Sequence, residues 1–504
     1  MNYLVKSIIN ISLAFVSTKC LAIVQPNSLF SNNMVLQQGV TVPVWGSASE
    51  GEKVTVEFDG QKVSTTAKAG KWMLQLKPLK GGNKPKVMII SGENTIKIEN
   101  VLVGEVWVCS GQSNMEMSMS SAWPKPIDNA KEEMANANYP EIRQYFVHRK
   151  ASETLVEDAH EKWSVCDTGS IKDFTAVGYF FARDLHKTLK VPIGIIFSAW
   201  GGTAAEYWTP SADVESVPEL KYLIEKYQHA IKDFPNVMAK FKEKRPALEA
   251  KWLIDSANAV ANNKPVPNKP RAPYHPQGSV GALYNAMINP LIPYAIKGFT
   301  WYQGEANRTK AKEYRSLFPL LINVWRRNWN QPTLPFLFVQ LAPYMDMNPE
   351  IREAQFLTVN KLESVGMAVI TDCGDSALIH PTAKQPVGHR LAIAARSIAY
   401  KEKIDAMGPI YQSFETKNNT LELTFKYVSK GLQAKGGKLI GFEIAGEDKQ
   451  FLPAEAEIKG KKVIVSHPNI ANPKSVRYGW AKIPAVNLFN GDDLPASPFR
   501  TDVE

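Results

Sequence analysis

Gly104-Glu-Val-Trp-Val-Cys-Ser-Gly-Gln-Ser-Asn-Met115 is the stretch whose reading decides the fold. Val106, Trp107 and Val108 form a continuous apolar run, which predicts a strand covered on both faces, as in a parallel sheet. The run ends abruptly in small and polar residues. Gly111 permits a tight turn, and Ser113 is then left at the carboxyl end of the strand, where open α/β sheets place their ligands. A serine at this point is a candidate nucleophile, but it is also an ordinary turn residue or helix N-cap. Met115 moreover stands where the G-x-S-x-G elbow has its second glycine. The rest of the chain has to decide between these readings.

Upstream, residues 23–100 read as short strands (42–45, 53–58, 71–76, 95–98) separated by turns such as Asp59-Gly60 and Gly81-Gly82, which predicts a small β-sandwich-like domain. From 101 to 402 strands alternate with helices, so a parallel sheet flanked by helices is expected. Val177, Phe180, Phe181 and Leu185 recur at helical spacing within 174–189. Further strands are expected at 192–197, 298–302, 334–340 and 366–372. Residues 210–276 interrupt this order as a charged helical insertion, with expected breaks at Pro235 and Pro246 and a proline-rich return loop over 264–276. Strands at 421–425, 440–444, 454–458 and 462–466 then predict a C-terminal β-rich region over 403–504. The fold class is therefore α/β, with a β-sandwich-like region at each end.

A length of 504 residues suits two or three domains, and 44% hydrophobic with 21% charged residues is the composition of a soluble globular protein. The 59 basic and 49 acidic residues form no dense basic run or nucleic-acid module, so no nucleic-acid partner is expected, while an anionic substrate is not opposed. Residues 1–22 have the layout of a secretory signal peptide: a basic start, an apolar run too short to span a bilayer, and small residues near Ala22. Secretion or export to a periplasm follows as the expectation, without stable membrane insertion. Lipidation at Cys20 fits less well, because Lys19 is not small. Cys109, Cys166 and Cys373 form neither a disulfide framework nor a zinc signature, and the 8 histidines are scattered, so neither metal nor cofactor is expected.

Acyl transfer by a serine needs a base beside the hydroxyl, donors for the developing oxyanion, and a group that orients the base. His380 follows the last apolar strand and precedes an expected helix over 387–399, which puts it on the same sheet edge as Ser113. His389, the competitor, lies inside that helix. In Trp200-Gly-Gly-Thr203 a glycine N–H can approach a ligand closely. In Trp301-Tyr-Gln-Gly-Glu-Ala-Asn307 the Gln303 amide is a natural third donor beside the Ser113 N–H, with Asn307 as its alternative.

Taken together, Gly111-Gln-Ser-Asn-Met-Glu116, the Trp200 and Trp301 blocks, and Ile379-His-Pro381 with Lys384-Gln-Pro-Val-Gly-His-Arg-Leu391 resemble the sialate O-acetylesterase family of SGNH-type carbohydrate esterases. Glu206-x-Trp208, Arg352-x-x-Gln355 and residues 487–502 share the family's wording, so the resemblance spans nearly the whole mature chain. It implies an SGNH-like sheet, His380 as the base, and an oxyanion N–H from the Trp200 block, for which Gly202 is preferred over Gly201. It also implies O-acetylated sialic acid as the substrate. Trp208 is read as a wall of the sugar pocket with packing as the alternative, and Arg352 as a partner for a sugar carboxylate with a structural ion pair as the alternative. Gln112 and Glu305 complete the substrate-facing set. The family often has an aspartate two or three residues before the histidine, where this chain has Leu378 and Ala377. Asp375 is the first substitute for the acid and Asp372 the second; a Ser-His dyad is the third reading, and both aspartates also suit plain turns. The expected function is carbohydrate O-acetylesterase. The alternatives are an esterase for acetylated xylan or another glycan, and a non-catalytic carbohydrate-binding protein with a degenerate core.

Overall fold

The strand expected around Trp107 is the centre of the molecule. In the computed structural model, which describes residues 23–262, 264, 266–273 and 279–502, it runs as β1 from Thr95 to Gly111. The expected leader over 1–22 lies outside the described residues, as do 265 and 274–276 of the expected return loop. With β1, the strands β2 (Tyr139–Phe146), β3 (Trp163–Cys166), β4 (Ile193–Ala199), β5 (Gly298–Tyr302), β6 (Phe336–Val339) and β7 (Val365–Ala368) form the main path of an 11-stranded sheet. Their order is β3-β2-β4-β1-β5-β6-β7, parallel throughout except for the edge pair β3 and β2.

β1 belongs to two neighbourhoods. Near Thr95 its side chains are mostly accessible, and it pairs antiparallel with Gly82–Ser91, Ile96 facing Ile90. From Val101 every residue is buried, and Trp107 pairs in parallel register with Ile195 on one side and Gly298 on the other. The position 100/101, where the sequence changes grammar, therefore falls inside one uninterrupted strand. The early strands Val42–Ser47, Lys53–Phe58 and Lys71–Leu76 form where expected, and Gln61–Thr66 is added to them. Beyond residue 403 the strands are antiparallel, as in the four-stranded sheet that contains Thr420–Lys426 and Lys462–Ser466.

Six helices matter for the site or for corrections to the reading: α1 (Ser113–Glu116), α2 (Ala176–Leu189), α3 (Tyr222–Ala261), α4 (Ala311–Asn328), α5 (Pro349–Lys361) and α6 (Lys384–Ile398). α2 is N-capped by Thr175, whose hydroxyl accepts from the Gly178 N–H. α3 corrects the expected breaks, since it runs unbroken through Pro235 and Pro246. A proline leaves one carbonyl without its helical donor, but both prolines are exposed, so water can take the bond. α4, which carries Pro319 within it, and α5 have no counterpart among the expected elements. Between α4 and the sheet, Phe299, Trp301, Trp325 and Phe336 pack largely edge-on, the geometry that ring quadrupoles favour. Cys109 and Cys166 are buried free thiols, and Cys373 is a half-buried one. Among the described residues no helix is long and apolar enough to cross a membrane.

Candidate active site

Ser113 is presented by the way β1 stops. Gly111 has a φ of +143°, and a Cβ there would lie 2.2 Å from the Tyr302 carbonyl oxygen, so a side chain would push β1 and β5 apart. Gln112 continues in extended backbone, and Ser113 opens α1. The first N–H groups of a helix have no partner within it. That of Ser113 makes no hydrogen bond among the described residues. The Gln112 side chain, expected to face substrate, is buried, and its Oε1 accepts from the N–H groups of Gly304 and Ala306 at 3.4 and 3.2 Å. It ties the serine turn to the loop after β5.

His380 arrives from the far end of the sheet with its Nε2 2.9 Å from Ser113 Oγ. Its loop leads into α6, which is seated tightly on α2: a Cβ on Gly388 would come within 2.6 Å of Phe180 Cβ. Burial, with Lys384 nearby, holds the imidazole below the usual histidine pKa, so near neutral pH it is uncharged and able to take a proton. Neither candidate acid is brought to it. Asp375 is turned outward, its Oδ1 accepting from the Ala377 N–H at 2.8 Å and its Oδ2 3.8 Å from Lys125. Asp372 is held by both terminal nitrogens of Arg390 at 2.6 Å; although burial opposes ionisation, that pairing keeps its carboxyl below the ordinary range. Among the described residues Ser113 is the hydrogen-bond partner of the His380 ring, and no carboxylate is bonded to it.

The loop after β4 closes over the serine. A Cβ on Gly201 would lie 3.2 Å from Ser113 Cβ and 2.9 Å from Glu116 Oε2, so this residue is pressed against the Ser113 turn. The Gly201 N–H donates to Glu116 Oε2 at 2.9 Å. The Gly202 N–H makes no hydrogen bond among the described residues, and its φ of +75° suits glycine. Gln303 is placed differently from its expected role as a donor. Its Nε2 gives both hydrogens inward, to Thr203 O and Asn307 Oδ1, while Tyr314 donates to its Oε1. Asn307 in turn accepts from the Ala205 N–H and donates to Glu206. Both amides brace the loop after β4.

A cleft of about 1230 Å³ opens over the Ser113–His380 pair, with Trp123, Phe146, Arg149 and Lys162 in its lining. Trp208 is not in that lining: it is fully buried, edge-on to Trp301, with Nε1 donating to Thr203 Oγ1. Arg352 is also fully buried and is not in the cleft lining; among the described residues it forms no ion pair, and its guanidinium donates to the carbonyls of Met347, Ala481 and Lys482. Glu305 is buried below α1, where Asn114 donates to its Oε1. Sequence reasoning missed Trp123, which is 76% exposed beside the His380 ring at 5.5 Å between centroids. It also missed Glu116, which joins Gly201 to Arg149, and the buried Lys384. The signals were present, as a tryptophan in a polar turn and a lysine in the histidine block, but nothing local set them apart. No cluster of three or more His, Cys, Asp or Glu suited to a metal occurs among the described residues.

The sequence profile of the family described as "Carbohydrate esterase, sialic acid-specific acetylesterase" matches residues 103–247 and 273–397. The chain is 30% identical to the sialate O-acetylesterase of Mus musculus over 94% of both chains, and 28% identical to that of Homo sapiens over 94% of this chain and 91% of the other. A solved carbohydrate acetylesterase from Xanthomonas citri is 34% identical, with a TM-score of 0.79 over 95% of this chain and 100% of that one. The chain therefore belongs to the carbohydrate esterase family of sialic acid-specific acetylesterases.

Proposed function

We propose that this carbohydrate esterase is a serine O-acetylesterase of SGNH type whose preferred substrate is O-acetylated sialic acid. The observation that carries the reading is the 2.9 Å contact between His380 Nε2 and Ser113 Oγ at the floor of the cleft. In the mechanism His380 takes the Ser113 proton as Oγ attacks the acetyl carbonyl. The oxyanion is met by the N–H groups of Ser113 and Gly202, neither of which has another acceptor among the described residues. The bond to the sugar oxygen breaks, the sugar hydroxyl leaves with the proton from His380, and water then releases acetate from the acetyl-serine by the same base.

The sialate preference draws on Arg149. Its Nε donates to Glu116 at the cleft wall, and its two terminal nitrogens have no acceptor among the described residues, so they suit a sugar carboxylate. The test is acetate release from 9-O-acetylated sialic acid and from acetylated xylan, each with Ser113→Ala as control. Sialate hydrolysis that falls about 10⁴-fold or more in the variant is the expected result. Activity on xylan alone overturns the substrate. Undiminished activity of Ser113→Ala overturns the nucleophile, and inactivity on both esters favours the carbohydrate-binding alternative.

A further inference from the structure

Beneath the Ser113–His380 pair lies a buried polar knot that the acyl-transfer steps do not use. Asn114, the residue after the nucleophile, is 1% exposed; Lys384, four residues after the base, is 0% exposed; Glu305 is 3% exposed. Lys384 Nζ donates to Asn114 Oδ1 at 2.5 Å. Asn114 Nδ2 donates to Glu305 Oε1 at 2.5 Å and to the carbonyl of Ile379, the residue before the base, at 3.0 Å. The orientation of the Asn114 amide is fixed by chemistry: an amine donates, a carboxylate accepts, so oxygen faces Lys384 and nitrogen faces Glu305. One amide thus joins two catalytic segments 265 positions apart in sequence.

The knot is costly. Burying an amine and a carboxyl without a direct ion pair loses solvation that an apolar packing would not lose, and Glu305 Oε2 has no hydrogen-bond partner among the described residues. Burial is also the main reason the Lys384 pKa is lowered to about 7, while Glu305 and Cys373 oppose the drop; the Tyr302 ring is the other group packed on its ammonium. Burial likewise raises the Glu305 pKa, against the pull of Asn114, Lys384 and Arg308. A site that keeps such a cluster where methionine and leucine would pack uses it for placement. The need is visible, because no carboxylate reaches the imidazole.

We propose that Asn114, Lys384 and Glu305 are positioning residues that set His380 against Ser113, taking over the orienting task that an acid on the imidazole performs elsewhere. Lys384 and Glu305 hold the Asn114 amide, and that amide holds the Ile379 carbonyl and so the histidine loop. This rests on the Ser113–His380 reading.

The test measures kcat and KM on 4-nitrophenyl acetate, the pH dependence of kcat and the Tm of the mature protein, for Asn114→Ala, Lys384→Met and Ser113→Ala. The expected result is a fall in kcat of about tenfold or more in the first two, with KM within about twofold. Lys384→Met leaves Asn114 Oδ1 without its donor, so a lower Tm is expected, and kcat, compared at a temperature where the variant is folded, has its acid limb moved upward. The groups around His380 are Ser113 and Trp123 on the cleft side and Lys384 behind; burial opposes a charged imidazole first, and Lys384 is the charge that adds to it. If Lys384→Met does not fold, Asn114→Ala carries the decision. Parent-like kcat in these variants beside an inactive Ser113→Ala overturns the positioning role and leaves the nucleophile standing. Undiminished Ser113→Ala overturns both.

Discussion

In the proposed mechanism His380 can serve as a base only while its imidazole is neutral, and its surroundings favour that form. Burial disfavours the imidazolium first and the nearby Lys384 second, which places its pKa below the ordinary 6.5. The sign follows directly: a lowered pKa leaves the base competent at a more acidic pH. The acid limb of kcat/KM therefore has its midpoint below pH 6.5, with a plateau through neutrality. A pH profile on a chromogenic acetate ester checks this, and a midpoint above that value would mean that a carboxylate supports the imidazole after all.

At the scale of the element, the glycine pair after β4 divides two tasks. Gly201 is held in contact with Ser113 and Glu116, whereas nothing lies within 4 Å of a Cβ built on Gly202. Gly201→Ala is expected to lower kcat about 100-fold with little change in KM, because the methyl group displaces the nucleophile by a fraction of an ångström. Gly202→Ala keeps its N–H and meets only the backbone cost of a left-handed φ, about 1–2 kcal/mol of stability. Steady-state kinetics beside thermal melts separate the two. Equal kinetic losses would remove the distinction drawn between contact and donor.

Across the whole molecule, buried charge fastens the C-terminal strands to the catalytic sheet. Arg352 of α5 reaches the carbonyls of Ala481 and Lys482, and its neighbour Glu353 accepts from Arg500 Nε at 2.7 Å. Arg352→Met leaves those carbonyls without their donor and is expected to cost about 2 kcal/mol or more, read as a lower Tm. Because Arg352 does not line the cleft, kcat per folded molecule stays at the parent level. A loss of activity at unchanged Tm would return Arg352 to the substrate.

What the sequence determined by itself was whatever local pattern encodes. The unbroken apolar run at Trp107, bounded by turn residues, gives a strand buried on both faces, the helical spacing at Val177 to Leu185 gives α2, and the serine and histidine blocks each follow a strand of one parallel sheet, which brings them to one edge. Two kinds of feature escaped it. Pro235 and Pro246 read as breaks, yet α3 runs through both, because water can take the carbonyl that a missing N–H leaves without its helical donor. The fate of each polar side chain was equally hidden. Gln303 and Asn307 are donors in composition, but both are taken up by remote partners. Arg352 and Trp208 read as sugar-facing and are core, and the carboxylates of Asp372 and Asp375 find Arg390 and Lys125 rather than the imidazole. Only the tertiary structure decided these, because a hydrogen bond is settled by which groups the fold brings within about 3 Å, and those groups are mostly distant in sequence.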